Sequence, residues 1–335
     1  MSKKLAPTAL VTVAMPVLNG GSILAEVLGA VGAQVIDREI EVLICDSGST
    51  DGSVELAGSL GARVIEIPKH DFSHGGTRNL LMREAAGDHV AFLTQDSTPA
   101  GPTWLARLIS GFELSDDVAL VHGPYLPRHG AEVHVARELS EHFASLAPEG
   151  KPVVDRASAD SKWADDSKWA DVSSRATFFT DANGAVARWA WEQVPFPDVA
   201  YAEDRLLAKR MLQQGFSKVF EPGAAVVHSH DYGSRELFGR YFDEFRGLRE
   251  TFDHVESASP RRAIAGVRRK TTADYNWALQ DGADRREAAA VALRAARYHT
   301  IRVVAAALGS RADRLSPAVR RALSLERRDS FFPTN

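Results

Sequence analysis

The sequence holds a single cysteine, Cys45, in 335 residues. No intrachain disulfide can form, and a reducing compartment, the cytoplasm, is the expected home. Long apolar runs are missing too. The uncharged stretch Leu5–Ala25 comes nearest, but Pro7, Pro16, Asn19, Gly20 and Gly21 interrupt it. A membrane helix needs ~20 continuous apolar residues, so neither a span nor a signal peptide is predicted. The chain has no GxGxxG fingerprint and no GxxxxGKS/T loop, which argues against a dehydrogenase and a P-loop kinase.

What is present is the composition of an ordinary globular protein, 44% hydrophobic and 25% charged, long enough for a sizeable core and more than one subdomain. The net charge of −4 conceals an asymmetry. Residues 256–335 carry 16 Lys and Arg against 8 Asp and Glu, whereas the remainder carries 24 against 36. A basic helical tail suits an anionic membrane surface, an acidic partner or a solvated helix face.

Apolar, β-branched runs at Leu10–Val17, Glu39–Cys45, Ala62–Ile67, Val90–Leu93 and Val118–His122 alternate with helical patterns at Ile23–Val31, Ser53–Leu60, Gly76–Ala86 and Thr103–Phe112. That alternation predicts an α/β fold with a parallel sheet and right-handed crossovers. Arg128–Arg175 is polar and irregular and is expected to be a mobile segment over the site. It contains a duplication, Asp160–Asp165 and Asp166–Asp171, each reading DSKWAD, in which Trp163 or Trp169 could stack on a sugar ring. Further on, Phe178–Arg188 and Val219–His228 read as strands, Ala202–Gln214 and Glu236–Phe252 as helices, and the chain after Ser257 as helical with breaks near Pro260, Gly282, Gly309 and Pro317.

Five polar clusters each follow a predicted strand or open a helix: Asn19-Gly20-Gly21, Asp46–Asp51, His74–Asn79, Asp96 and His228–Asp231. In an open α/β sheet the ligand crevice lies outside the carboxyl ends of the strands, so these clusters would meet at one site. His70, His122 and His134 stand alone and are assigned no ligand role.

These clusters carry a resemblance. Pro16-Val17-Leu18-Asn19, Asp46-Ser47-Gly48-Ser49-Thr50-Asp51, His74-Gly75-Gly76-Thr77-Arg78-Asn79, Phe92-Leu93-Thr94-Gln95-Asp96, Glu203-Asp204 and His228-Ser229-His230 resemble, in order, the motifs of family-2 glycosyltransferases. HGGTRN with LTQDSTP is most similar to bacterial rhamnosyltransferases that use dTDP-L-rhamnose. The resemblance covers roughly Leu10–Gly247. It implies the GT-A type nucleotide-diphosphosugar transferase fold, a Rossmann-like, mostly parallel sheet flanked by helices, with a C-terminal helical extension. Residues 1–255 would be the catalytic domain, divided into a nucleotide-sugar half (1–127) and an acceptor half (128–255), and 256–335 a basic extension docking on the inner membrane face or forming an oligomer interface.

Carried onto this sequence, the resemblance implies that Asp46, with Ser47, meets the pyrimidine base while Pro16, Val17 and Asn19 line the nucleotide pocket. Arg78 and Asn79 would lie near the diphosphate, Gln95, the middle residue of the Thr94-Gln95-Asp96 triplet, would bind substrate, and Asn183 would lie on the acceptor side and Tyr232 near the metal. Asp96 would hold Mg2+ or Mn2+ with His230 or His228, because Thr94 stands where the family's Asp-x-Asp has its first acid. Of Glu203 and Asp204, the aspartate is the implied general base for a single inverting displacement. The donor would be dTDP-L-rhamnose and the acceptor a bacterial surface glycan, polyprenyl-diphosphate-linked; no nucleic acid is expected. Two alternatives stay open on the same residues: another UDP- or dTDP-sugar donor, or a nucleotide-sugar-binding protein that has lost catalysis. A nucleotidyltransferase would need an early glycine-rich basic triphosphate loop, which is missing.

Overall fold

The computed structural model describes residues 10–157, 175, 178–199 and 201–326. Its first part alternates as the sequence predicts: β1 (Leu10–Val17), α1 (Gly21–Gly32), β2 (Glu39–Asp46), α2 (Ser53–Ser59), β3 (Arg63–Glu66), α3 (His74–Glu84) and β4 (His89–Leu93). Val11–Met15 of β1 are buried without interruption, as befits a strand covered by helices on both faces. On α1 the buried set Leu24, Val27, Leu28 and Val31 follows the i, i+3, i+4, i+7 stripe that seats a helix on a sheet. Gly75, in the first turn of α3, is obligatory: a Cβ there would stand 2.1 Å from the carbonyl oxygen of Pro197.

The chain continues through β5 (Thr98–Pro99), α4 (Trp104–Ser110), β6 (Val118–His122), β7 (Tyr125–Leu126), α5 (Val133–Leu146), β8 (Val153–Arg156), β9 (Asn183–Ala187), α6 (Arg188–Trp191), α7 (Glu203–Gln213), β10 (Ser217–Phe220), β11 (Val226–Val227), α8 (Ser234–Phe252), α9 (Pro260–Gln280), α10 (Arg285–Gly309) and α11 (Pro317–Leu323). Eight strands form one sheet in the order β3-β2-β1-β4-β9-β6-β10-β8. The first four are mutually parallel, whereas β9 runs antiparallel to both β4 and β6, and β8 is antiparallel to β10. Strands from either side of residue 127 therefore alternate within a single sheet.

Three expectations are corrected here. The Val219–His228 run is not one strand: Pro222-Gly223 breaks it, with Glu221 accepting from the Gly223 amide, and β10 and β11 join different sheets. The strand expected at Phe178–Arg188 begins only at Asn183, and its burial on both faces left its direction unreadable from pattern alone. Within the stretch expected to be irregular, Val133–Leu146 is a helix of 14 residues; its apolar positions are spaced for one face but diluted by three charged residues and two histidines.

A second sheet of three short strands, β5-β11-β7, is what positions the chemistry. β11 pairs antiparallel with β5, Val227 opposite Thr98, and parallel with β7. The C-terminal helices are not a loose tail. Asp274 of α9, fully buried, accepts from Arg137 Nε of α5 at 2.6 Å and lies 2.7 Å from His299 Nε2 of α10, tying both helices to the body. Among the described residues no helix is long and apolar enough to cross a membrane.

Candidate active site

Asp96 lies in the turn between β4 and β5, three residues after Leu93 and two before Thr98, and His228 follows β11 directly. Pairing of those strands brings them together: His228 Nδ1 lies 3.5 Å from Asp96 Oδ1, and His230 Nε2 lies 3.3 Å from Asp96 Oδ2. The ligand atoms of Asp96, His228 and His230 all fall within 4.8 Å of one another. Burial pushes the His228 imidazole down to about 4, and burial also lowers His230. Burial works the other way on Asp96, but His228, Thr94 and His230 outweigh it and keep the carboxyl low. One carboxylate beside two neutral imidazoles is a donor set that fits Mn2+ well and Mg2+ through the carboxylate. Tyr232 stacks on His230, ring centroids 5.1 Å apart and planes 12° from parallel.

A cavity of about 480 Å3 opens on this set and is lined also by Arg78, Asp181, Glu203, Asp204 and Arg240. Helix α7 starts there after Ala202, whose φ of 58° is a left-handed value an alanine takes only under constraint. The turn separates the two acids. Glu203 faces inward, 6% exposed, and accepts from Arg78 Nη1 at 3.0 Å. Asp204 lines the cavity, pushed up to about 7 by burial first and then by the Asp181 charge. Asp181 is itself pushed up to about 7, by burial and by Glu203 against the opposing pull of Arg78. A carboxyl poised near neutrality in a cleft is what a general base requires.

Other expected residues hold the scaffold instead. Arg78 is 3% exposed and is engaged by Asp181 through Nε and by Glu203 through Nη1, so that part of its fork is not open to a diphosphate. Asn79 uses its amide on Phe196 O, Phe196 N and Trp191 Nε1. Gln95 forms a two-way clasp with the Leu18 backbone, at 2.8 and 3.1 Å. Asn183, fully buried, takes the Trp104 indole N–H and donates to Pro124 O and Ala224 O. The amides of Asn79, Gln95 and Asn183 thus pin backbone in place, while Arg78 holds two acids at the cavity wall.

The nucleotide-side residues sit together at the ends of β1 and β2, and none of them lines the cavity. Ser47 donates to Val17 O, Asn19 N donates to Ser49 Oγ, and Asn19 Oδ1 accepts from Thr50 N, zipping the loops after Pro16-Val17 and Asp46. The Asp46 carboxylate accepts from Gly48 N, Ser49 N and Ser49 Oγ, so its oxygens are occupied within its own loop. Trp163 and Trp169 lie outside the described residues.

Sequence reasoning missed Asp181 and Arg240. Asp181 lies two residues before Asn183, inside the predicted strand Phe178–Arg188, and an acid within that apolar run was the available signal. Arg240 had none: it is one of many arginines on α8, known only by its guanidinium 5.2 Å over the Tyr201 ring at the cavity wall. It has no ion-pair partner among the described residues.

Comparison with known proteins accords with this arrangement. The family model described as Glycosyl transferase family 2 matches residues 12–150. The O-antigen chain rhamnosyltransferase RfbN of Salmonella typhimurium is 33% identical over 238 residues, 70% of this chain and 70% of that protein. WbaN of Salmonella anatum, likewise an O-antigen chain rhamnosyltransferase, is 31% identical over 206 residues, 61% of each. Among solved structures, the mannosyltransferase PcManGT from Pyrobaculum calidifontis, in complex with GDP-Man and Mn2+, matches with a TM-score of 0.56 at 18% identity, over 93% of this chain and 91% of that one. TarS 1-349 of S. aureus matches at 0.50 and 13% identity over 91% of each. The fold is of the GT-A type, and the chain belongs to the family-2 glycosyltransferases.

Proposed function

We propose that this glycosyltransferase transfers L-rhamnose from dTDP-β-L-rhamnose to a hydroxyl of a bacterial surface-glycan acceptor, with inversion and with Mg2+ or Mn2+. The observation that carries the reading is the pairing, in one 480 Å3 cavity, of the Asp96–His228–His230 set with Asp204 near neutrality. The rhamnosyl donor is supported by the likeness to O-antigen chain rhamnosyltransferases, and the metal by the donor set together with the Mn2+ complex of the mannosyltransferase.

Asp96, His228 and His230 would hold the ion, which when bound offsets charge on the diphosphate leaving group. The rest is done by side chains. Asp204, as carboxylate, takes the proton of the acceptor hydroxyl as it attacks the anomeric carbon from the face opposite the diphosphate. One displacement inverts that carbon and needs no second nucleophilic carboxylate. Glu203 and Arg78 are positioning residues: their buried ion pair fixes the first turn of α7, and with it Asp204. Arg240 supplies the open guanidinium expected of Arg78, and a planar multi-donor cation suits a diphosphate. A donor base that reaches Asp46 must displace the Ser49 hydroxyl.

Turnover of dTDP-L-rhamnose and of UDP-hexoses, measured side by side with Mn2+, tests the donor. A clear preference for dTDP-L-rhamnose supports the reading; a preference for a UDP-sugar refutes the rhamnosyl assignment.

A further inference from the structure

The turn that joins β4 to β5 is closed by a hydrogen bond from Ser97 N to Thr94 O at 3.0 Å, the first-to-fourth link of a β-turn. It stands the hydroxyls of Thr94 and Ser97 side by side, 2.7 Å apart. The middle residues of the turn are anchored from outside, Gln95 on the Leu18 backbone and Asp96 O on Arg128 Nη2 at 2.7 Å. Continuing the register of β5 and β11 one step past Thr98 and Val227 sets His228 opposite Ser97, and its Nδ1 lies 3.1 Å from Ser97 Oγ. Ser97 is fully buried, so its hydroxyl is committed to these two partners.

The direction of each hydrogen bond follows from the end of the chain. An ionised carboxylate only accepts, and Thr94 is hydrogen-bonded to the carboxylate of Asp96, so the Thr94 hydroxyl donates there. Its oxygen then accepts from the Ser97 hydroxyl, and Ser97 Oγ is left to accept from His228 Nδ1–H. Each hydroxyl donates once and accepts once. The polarity runs one way from imidazole to carboxylate, an order in which each bond strengthens the next. A neutral imidazole carries one N–H and one lone pair, so His228 keeps its hydrogen on Nδ1 and its lone pair on Nε2.

We infer that Thr94 and Ser97 are positioning residues of the metal set: through two hydroxyls they tie the His228 ring to Asp96 and hold Nε2 of His228 as the nitrogen offered to the ion. This rests on the metal reading of the site. A ring nitrogen that ligates a metal is ordinarily oriented by a hydrogen bond from the other ring nitrogen, and here that bond ends on the neighbouring ligand. At the position of the family's first acid the chain then has a hydroxyl that orients the ligands instead of joining them.

The full chain is titrated with Mn2+ at neutral pH, the free ion being read by its paramagnetic resonance signal. Thr94→Val and Ser97→Ala are each expected to raise the Kd for Mn2+ at least about tenfold, whereas Thr94→Ser, which keeps the hydroxyl, and Ser229→Ala should stay within about twofold of wild type. Should the valine or alanine variant not fold, nitrogen-15 spectra of the wild-type imidazoles decide. The His228 signals, identified by their loss in His228→Gln, should be those of the Nδ1–H tautomer, and the Nε2–H tautomer overturns the proposal. Mn2+ uptake by wild type with an unchanged Kd in Thr94→Val and Ser97→Ala overturns it as well and leaves the metal reading standing. No uptake by wild type refutes the metal reading, and the proposal goes with it.

Discussion

Val227 pairs with Thr98 across a two-residue antiparallel ladder, and that register places His228 against the end of β4, its Nδ1 3.1 Å from Ser97 Oγ and 3.5 Å from Asp96 Oδ1. The smallest sheet in the molecule thus joins the two halves of the proposed metal set. In the proposed metal role, a single carboxylate from the Thr94-Gln95-Asp96 triplet would be joined by imidazoles that the β11 ladder places beside it.

Removing one donor should expose this dependence. Asp96→Asn and His230→Ala are expected to lower kcat/KM at least about 100-fold and to shift the Mn2+ activation curve to higher concentration. Ser229→Ala, whose hydroxyl accepts from the Arg128 amide, should leave the metal curve in place. Activity titrated with Mn2+ checks both.

Arg78 neutralises two buried acids at once, so Arg78→Met should cost about 3–5 kcal/mol of stability, the usual cost of leaving a buried charge without its partner. Denaturant melts give the value. Adding Glu203→Gln to Arg78→Met should recover part of the loss, since one stranded charge is then removed.

Asn183 is a structural clamp, and Asn183→Ala strands the Trp104 indole N–H and two carbonyls. A loss of about 3 kcal/mol is expected, with KM for the acceptor unchanged well below the melting temperature. A raised acceptor KM without loss of stability would restore the contact role that its motif suggested.

Stability should carry the mark of the raised acid. A carboxyl held near 7 when folded and near its ordinary value when unfolded makes the native state bind the extra proton. Its contribution is full below about pH 4 and is lost as pH rises through about 7. The depressed histidines pull the other way, chiefly below about pH 6.5. The readout is therefore the difference between wild type and Asp204→Asn, which should fall steadily from pH 5 to pH 8.

The strand–helix alternation through β4 was legible because parallel strands announce themselves as unbroken apolar runs and their crossovers as helical stripes. Of the polar clusters at the strand ends, those holding His74 and Arg78, Asp96, and His228 and His230 meet at the cavity, and Asp96, His228 and His230 converge as expected, whereas the clusters after β1 and β2 meet each other beside it. What stayed hidden was side-chain commitment. Asn79, Gln95 and Asn183 sit in motif-like strings, yet their amides are spent on backbone, and nothing in a string tells an amide facing a ligand from one facing a carbonyl. The two acids at the start of α7 are adjacent, and only the left-handed turn at Ala202 decides that Glu203 points inward to Arg78 and Asp204 to the cavity. Arg78's engagement with Asp181 and Glu203 was hidden for the same reason: both partners lie more than a hundred residues away in sequence.

The central claim is that Asp204 is the base serving the metal-bound donor, and the pH profile of kcat/KM with dTDP-L-rhamnose and Mn2+ tests it most directly. Wild type should rise to a plateau through an apparent pKa of about 7, a value shared with the coupled Asp181, and Asp204→Asn should lose about 100- to 10,000-fold at the plateau while binding nucleotide normally. An Asp204→Asn enzyme that keeps wild-type turnover and the same rise through pH 7 would contradict it.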